Sequence, residues 1–363
     1  MSTTPWFIDP DIRQARTLPA IFYTDPAMYE LSSERIFARS WLYAQDATAV
    51  QRPGDVYPFL LLESMLDEPL LLTQDEHGQV RCLSNVCTHR AKIVVERPTN
   101  IRQLRCPYHG RCFHLNGAFK YMPAFEGAKN FPSHCDDLKS IPIYCWAGMY
   151  FVGLSPIMPF EQLIAPIQQR VEFLPLDQLR YVPEASRTFE VHAHWALYCE
   201  NYLEGLHIPF VHPTLNKALD FSSYQYHLFD HCSLQIGVAR ADQPHFDLPK
   251  GHPDEGKQVY AWYFFVFPNM MFNFYPWGLS LNVVVPRGPQ HCHVHFRTYR
   301  FENLPFNRED FAIEQTEMED EAVVESVQIG IQSRYYDRGR YAPTMEQAVH
   351  HFHRLISQYM QQV

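Results

Sequence analysis

Cys87-Thr88-His89 and Cys106-Pro107-Tyr108-His109-Gly110 place two thiols and two imidazoles in two short segments with 16 residues between them. A chain that must bring such a set together has to fold around it, because the four donors converge only if two loops are held side by side. Two kinds of metal group suit a mixed Cys2His2 set. Zinc takes it as a tetrahedron. A two-iron cluster takes both thiolates on one iron and both imidazoles on the other. Zinc fingers usually place both cysteines before both histidines. Here each segment holds one of each, which favours the two-iron reading. Cys82 and Cys112 flank the segments without matching a ligand position and read as core thiols.

The residues around this set predict short strands, at 55–62, 69–74 and 79–86, with a turn from Asp75 to Gly78. Asn116-Gly117, between RCFHL and AFKYM, is a two-residue hairpin signal. A second strand pair brackets Ala147-Gly148. Residues 41–153 thus read as a small all-β domain. Residues 1–40 read as an entry arm, with Asp25 as N-cap and Pro26 at the first position of a short helix. In 154–363 the pattern mixes types. Helices are expected at 160–173, 195–207, 307–334 and 344–360, and strands at 257–267, 270–275, 279–286 and 291–302. An antiparallel sheet wrapped on long helices makes an α+β domain.

A second constellation lies in this larger part: Glu200-Asn201-Tyr-Leu-Glu204-Gly-Leu-His207-Ile-Pro-Phe-Val-His212. Two histidines five apart do not share a face of a straight helix. Pro209 is expected to end the helix by pushing Ile208 out of the helical region. The chain could then bend back and bring His212 beside His207.

CTHRAK followed by CPYHG resembles the Rieske fingerprint of the ring-hydroxylating oxygenases, and ENYLEGLHIPFVHP resembles the mononuclear iron motif of the same family. The resemblance implies an N-terminal Rieske 2Fe–2S domain followed by a helix-grip (START-like) catalytic domain with a curved antiparallel sheet. It implies that Cys87 and Cys106 bind one iron of the cluster and His89 and His109 the other. It implies that His207 and His212 bind a mononuclear Fe(II), completed by a later carboxylate. Such a triad leaves positions for dioxygen. Asp320 is the candidate carboxylate. Stepping back by helical turns from Val324, in the stripe Ile313, Val324, Val327 and Ile331, lands on Asp320 and then on Glu317, the alternative. Asp320 also sits where the family's ligand lies relative to VVESVQ. Glu314, Glu319, Glu321 and Glu325 read as solvated. Asn201 matches a family position near the iron. Glu204 matches the acidic residue that links an iron histidine to a cluster histidine of the adjacent subunit, giving a route from His109 of one chain to Glu204 and His207 of the next. That route implies a homotrimer. One departure is Arg111, where the family usually has tryptophan.

The resemblance also implies a terminal oxygenase fed from NAD(P)H by a ferredoxin or flavin/iron–sulfur reductase, hydroxylating or demethylating a small molecule with O2. Its string most resembles the choline, carnitine and betaine branch, so a quaternary amine or an aromatic acid is the expected substrate. Trp262, Tyr263, Phe272, Phe274, Tyr275 and Trp277 could form an aromatic cage. Aromatic-ring dihydroxylation is the alternative. A Rieske protein that only transfers electrons and a small-molecule carrier are the readings from other classes.

Charge and composition narrow the rest. Thirty basic against forty acidic residues give a net charge of −10, which argues against a nucleic-acid partner. No apolar run reaches the roughly 18 residues of a membrane span. The N-terminus lacks the pattern of a secretory signal. Nine scattered cysteines read as reduced thiols or ligands, hence a cytoplasmic enzyme. Against the acidic whole, Arg81, Arg90, Lys92, Arg97, Arg102, Arg105 and Arg111 surround the cluster segments with Glu96 as the only acid between them, a candidate docking surface for an acidic redox partner. His291, His293 and His295 alternate along one strand, and His350, His351 and His353 cluster on the last helix. Neither set carries the family motif, and both read as structural or exposed.

Overall fold

The computed structural model describes residues 6–212, 224–240, 243–302 and 313–361, without the side chains of 313–317. The chain divides into two compact units, Trp41–Pro156 and a second made of Met1–Ser40 with Ile157–Val363. The first 40 residues therefore cluster with the larger unit.

The smaller unit is all-β. Its main sheet runs in the order Thr99–Asn100, Asp55–Leu61, Glu68–Gln74, Val80–Ser84, Ser140–Ile141. A three-stranded sheet joins Leu42–Asp46, Met149–Val152 and Ile143–Trp146, and another joins Leu104–Arg105, Cys112–Phe113 and Phe119–Tyr121. The predicted strands lie within a residue or two of these. Val56, Leu71, Leu83, Leu104 and Phe113 form the core, and Cys87 and Cys106 belong to the same cluster. Packing thus anchors the thiols, while the two loops carry the histidines outward. Cys82 is fully buried, and burial pushes its thiol up to about 12.

The larger unit holds an antiparallel sheet in the order Leu179–Tyr181, His291–Phe301, Gly278–Gly288, Met270–Tyr275, Val259–Val266, Cys232–Val238, Gln225–Leu228, with Arg187–Val191 also paired to His291–Phe301. The strands Val259–Val266, Met270–Tyr275, Gly278–Gly288 and His291–Phe301 match expectation. Leu179–Tyr181, Arg187–Val191, Gln225–Leu228 and Cys232–Val238 were not expected. Cys232–Val238 alternates apolar and polar through Ile236, so its signal is legible in the sequence.

The two faces of this sheet differ in chemistry. Register places Gln235, Tyr263, Asn273, Ser280 and Thr298 in one row, and Ser233, Phe265, Met271, Asn282 and Phe296 in the next on the same face. Tyr202 of the helix Trp195–Tyr202 meets this face, donating its hydroxyl to Asn273 Oδ1 at 2.7 Å. The opposite face carries Trp262, Phe264, Phe272 and Phe274. Trp262 packs on Phe246 and donates to Asp254 at 3.0 Å. The expected six-residue cage is therefore split: Trp262, Phe272 and Phe274 point away from the helix, because neighbours in a strand alternate sides.

Among the described residues the longer helices of the unit are Pro26–Arg35, Phe160–Val171, Trp195–Tyr202, Ile313–Ile331 and Gln347–Gln361. Asp25 caps the first as expected, accepting from the Ala27 N–H with Pro26 following. Residues 307–312 of the expected late helix lie outside the described residues. So do the side chains of Ile313, Glu314 and Glu317. In its last turns Val324 and Ile331 are buried, but Val327 is exposed and Gln328 takes the inward place. Among the described residues no helix is long and apolar enough to cross a membrane.

Candidate active site

The two Cys/His loops share one hydrogen-bond pattern. Cys87 N–H donates to Lys92 O, and its carbonyl accepts from Ala91 N–H. Cys106 N–H donates to Arg111 O, and its carbonyl accepts from Gly110 N–H. Each loop closes through a left-handed residue, Ala91 at φ 54° and Gly110 at φ 77°. Glycine adopts that conformation freely, whereas alanine does so under strain. The N–H groups of His89 and Arg90 turn toward the Cys87 sulfur, and the Cys87 and Cys106 thiols face each other as free cysteines. The His89 and His109 rings lie 4.7 Å apart. His89 Nδ1 is sealed from solvent without a hydrogen-bond partner among the described residues. A buried ring nitrogen with no partner is costly unless something binds it. Two opposed sulfurs, two adjacent imidazoles and that orphan nitrogen fit a Cys2His2 cluster.

Arg111 follows the second loop and is 2 % exposed. It donates to Asp136 Oδ1 at 2.6 Å and lies over the rings of Phe119 and Phe131, 5.0 and 5.5 Å from their centroids. A planar cation among aromatic faces fills space that a flat aromatic side chain could occupy. Arg111 is thus part of the interior and leaves the proposed basic surface. Arg81 faces Asp75 at 3.7 Å and Lys92 pairs with Glu96, while Arg90, Arg97, Arg102 and Arg105 are exposed.

The second site begins at the helix Trp195–Tyr202, which ends sooner than expected. The Glu204 carboxylate captures the backbone N–H groups of Leu206 and His207 and so competes with helix continuation. Pro209 does not expel Ile208 from the helical region. Instead Ile208–Val211 is a short helix with Pro209 in its first turn, where a missing N–H costs nothing. The expected meeting still occurs, by a different bend: the His207 and His212 rings are 5.1 Å apart.

The helix Ile313–Ile331 supplies the third group. Glu325 accepts the His192 N–H at 2.9 Å and Gln328 accepts the His194 N–H at 2.8 Å. These bonds fix this helix against the start of Trp195–Tyr202, and one or two turns earlier Asp320 faces Asn201 and His212. Asp320 Oδ1 lies 2.5 Å from Asn201 Nδ2, 2.9 Å from His212 Nε2 and 3.6 Å from His207 Nε2. His207, His212 and Asp320 present one ligand atom each within 4.8 Å of one another.

Both rings are oriented from behind. His207 Nδ1 lies 2.6 Å from Glu204 Oε1, and His212 Nδ1 lies 2.8 Å from Glu319 Oε2. A ring that donates Nδ1–H to a carboxylate turns its Nε2 lone pair forward, the arrangement metal-binding histidines use. Burial alone would lower the His212 pKa, but Asp320 and Glu319 outweigh it and raise it. The site is built to hold positive charge, and two imidazoles with one carboxylate fit a ferrous ion. Glu319 and Glu325, expected to be solvated, are both engaged. Nothing in their spacing distinguishes them from the other acids of that helix.

Other histidines have structural partners. His353 Nδ1 meets the Tyr341 hydroxyl at 2.7 Å, and His353 Nε2 lies 3.1 Å from Glu200 Oε1, which also accepts from Tyr23 at 2.7 Å. His350 Nε2 meets Asp9 O at 2.7 Å.

Two family models match the chain. The Rieske [2Fe-2S] domain matches residues 40–132, and the ring hydroxylating alpha subunit (catalytic domain) matches 178–362. Chloroplastic choline monooxygenase of Arabidopsis thaliana is 29% identical over 374 residues, covering 96% of this chain and 84% of that one. The carnitine monooxygenase oxygenase subunit of Escherichia coli (strain K12) is 25% identical over 371 residues, covering 95% and 94%. Among solved structures, the quaternary ammonium Rieske monooxygenase CntA with L-carnitine superposes with a TM-score of 0.77 at 21% identity, covering 99% of this chain and 100% of that one. Naphthalene 1,2-dioxygenase from Rhodococcus sp. gives 0.72 at 18%, covering 95% and 94%. With a cluster-binding β domain and a mononuclear-iron domain in one chain, the protein belongs to the ring-hydroxylating α-subunit family of Rieske oxygenases and is a terminal oxygenase of that type.

Proposed function

We propose that this terminal oxygenase hydroxylates or demethylates a quaternary amine, working as a homotrimer in the reducing cytoplasm with a ferredoxin or flavin/iron–sulfur reductase that draws on NAD(P)H. Cys87, His89, Cys106 and His109 hold the 2Fe–2S cluster. His207, His212 and Asp320 hold the mononuclear iron. When loaded, the two iron groups supply single-electron transfer and dioxygen activation. The chain's own residues do the positioning. Glu204 and Glu319 fix the ring tautomers of His207 and His212, and Asn201 steadies Asp320 through its amide. Glu204 would also take the His109 ring of a neighbouring copy, so that the electron route crosses between chains. A related structure is described as giving insight into inter-subunit electron transfer.

The observation that carries the iron reading is the convergence of His207, His212 and Asp320 with both Nδ1 atoms already committed. Substrate class rests on the sheet face that Tyr202 meets. Tyr263 and Tyr275 lie 6.0 Å apart there, and Tyr275 stacks on Trp277 at 5.1 Å. Such rings favour a cation by their negative faces. The same face buries Gln235, Asn273, Ser280 and Asn282, and the Ser233 hydroxyl is buried without a hydrogen-bond partner among the described residues. Gln235, Asn273, Ser280 and Asn282 bond within the protein, so the Ser233 hydroxyl is the group an aromatic hydrocarbon would leave unpaired. A hydroxyl or carboxylate carried by a quaternary amine would meet it, which weighs against ring dihydroxylation. Choline and carnitine monooxygenases among the relatives agree with the amine reading.

The test is oxygen uptake with NADH and a generic reductase, in one arm with trimethylammonium compounds and in the other with aromatic acids. Uptake coupled to product only in the first arm is expected. Coupled uptake only in the second would replace the substrate assignment and leave the terminal oxygenase standing.

A further inference from the structure

The strand Arg187–Val191 pairs antiparallel with His291–Phe301, with Glu190 opposite His293 and Val191 opposite Cys292. Val191 and Cys292 are fully buried, so their face of this ladder is core. Glu190, His291 and His293 share the outer face, and His192 continues the ladder opposite His291. On that face the His192 and His291 rings lie nearly parallel, 20° apart in plane with centroids 5.6 Å apart. The His293 ring meets the His291 ring edge-on at 5.2 Å. Glu190, His192 and His291 each offer one ligand atom, all within 4.8 Å of one another.

One contact identifies the kind of group this cluster suits. His291 Nε2 is 2.9 Å from Glu190 Oε1, yet the pair does not make a hydrogen bond, and the nitrogen is sealed from solvent without another. A donor nitrogen and a carboxylate oxygen at contact distance, neither aimed along an N–H, are placed as two ligands of one cation are. The backbone N–H of His192 is held by Glu325, which fixes the residue and adds a second carboxylate nearby.

We propose that Glu190, His192 and His291 form a site for a borderline divalent cation such as Zn²⁺, Ni²⁺ or Co²⁺, separate from the iron set. Two imidazoles and a carboxylate are a donor set such ions accept. The site has a structural consequence. Among the described residues Arg187–Val191 pairs with His291–Phe301, off the main strand order. The residues that follow it lead through His194 into the helix that carries Asn201. A cation bridging the two strands would staple this entry segment in place.

The test uses untagged holoenzyme with cluster and iron loaded. After incubation with ZnCl2 and gel filtration, metal analysis should find one additional zinc per chain with iron content unchanged. Thermal unfolding should shift upward with zinc, because an ion that binds only the folded form stabilises it. His192→Ala/His291→Ala should lose both effects while keeping its iron and its cluster spectrum. Glu190→Gln should weaken zinc binding by at least about 10-fold. No additional zinc in the parent enzyme, equal zinc in the double variant, or zinc gained only as iron is lost would each overturn the proposal.

Discussion

At the residue scale, His207 and His212, the proposed iron ligands, are each held from behind by a carboxylate, Glu204 and Glu319. Glu319→Gln keeps a polar partner for His212 but removes the charge that draws on its Nδ1–H. Iron retention should fall about 10–100-fold, with the cluster absorption unchanged. Dialysis against a graded chelator, followed by iron analysis, measures it. Arg111 has a different role, since its guanidinium sits among Phe119, Phe131 and Asp136. Arg111→Met should cost about 2–3 kcal/mol, because it leaves the half-buried Asp136 carboxylate without its cation. It should also lower the cluster's midpoint potential, since removing a positive charge beside the loops disfavours the added electron. Protein-film voltammetry would show the shift, and an unchanged potential would assign Arg111 to packing alone.

At the element scale, the site is a matter of register between pieces of backbone. The helix Ile313–Ile331 is locked to the start of Trp195–Tyr202 by Glu325 and Gln328, and that lock sets where Asp320 falls. The sheet has a comparable fixed point at Gly278, which opens the strand Gly278–Gly288 at φ 152°. A Cβ there would lie 2.2 Å from the Tyr299 carbonyl oxygen. Gly278→Ala therefore has no room in the ladder, and the hairpin with Tyr275 must shift. A loss of several kcal/mol, on the order of 3, is expected from backbone that cannot relax, read as a drop in the urea midpoint. His194 caps the helix Trp195–Tyr202 by accepting the Ala196 N–H on Nδ1. Burial holds its pKa down to about 3. The folded chain therefore refuses a proton that the unfolded chain accepts below about 6.5. Its contribution is complete above pH 6.5 and is lost progressively as pH falls toward 3. His194→Asn should lose less stability than the parent between pH 7.5 and 5, as urea midpoints at the two values would show.

At the scale of the whole molecule, electrons must enter at one unit and be used at another. Arg90, Arg97, Arg102 and Arg105 are exposed near the cluster loops of a chain with net charge −10. If they dock an acidic reductase, kcat/KM for the reductase should fall as salt is raised, and Arg97→Glu/Arg102→Glu should flatten that dependence. Salt-independent turnover would remove the docking role. The proposed homotrimer makes a separate prediction. A chain with Cys106→Ala and a chain with Asp320→Ala should each be inactive, yet co-expression should restore oxygen uptake, because the electron route joins different copies. No restoration in mixed assemblies would confine the route to one chain.

The sequence by itself offered the candidate donors, since thiol, imidazole and carboxylate chemistry is written in residue type, and the family resemblance grouped them into two sets with Glu317 left open beside Asp320. It determined the β character of Trp41–Pro156, the four strands between Val259 and Phe301 and the two late helices, because side-chain periodicity reports local backbone. Tertiary structure decided what periodicity cannot carry. His207 and His212 meet across the short helix Ile208–Val211 that lies between them, after Glu204 has ended the preceding helix by capturing the Leu206 and His207 N–H groups. The choice of Glu319 as the partner of His212 comes from helix register. The division of the six aromatic residues between two faces comes from strand pairing. The first is a local competition for backbone N–H groups that residue type leaves open. The other two depend on pairing between distant segments, and a single chain read in order holds the residues that make them but not the pairing that selects them.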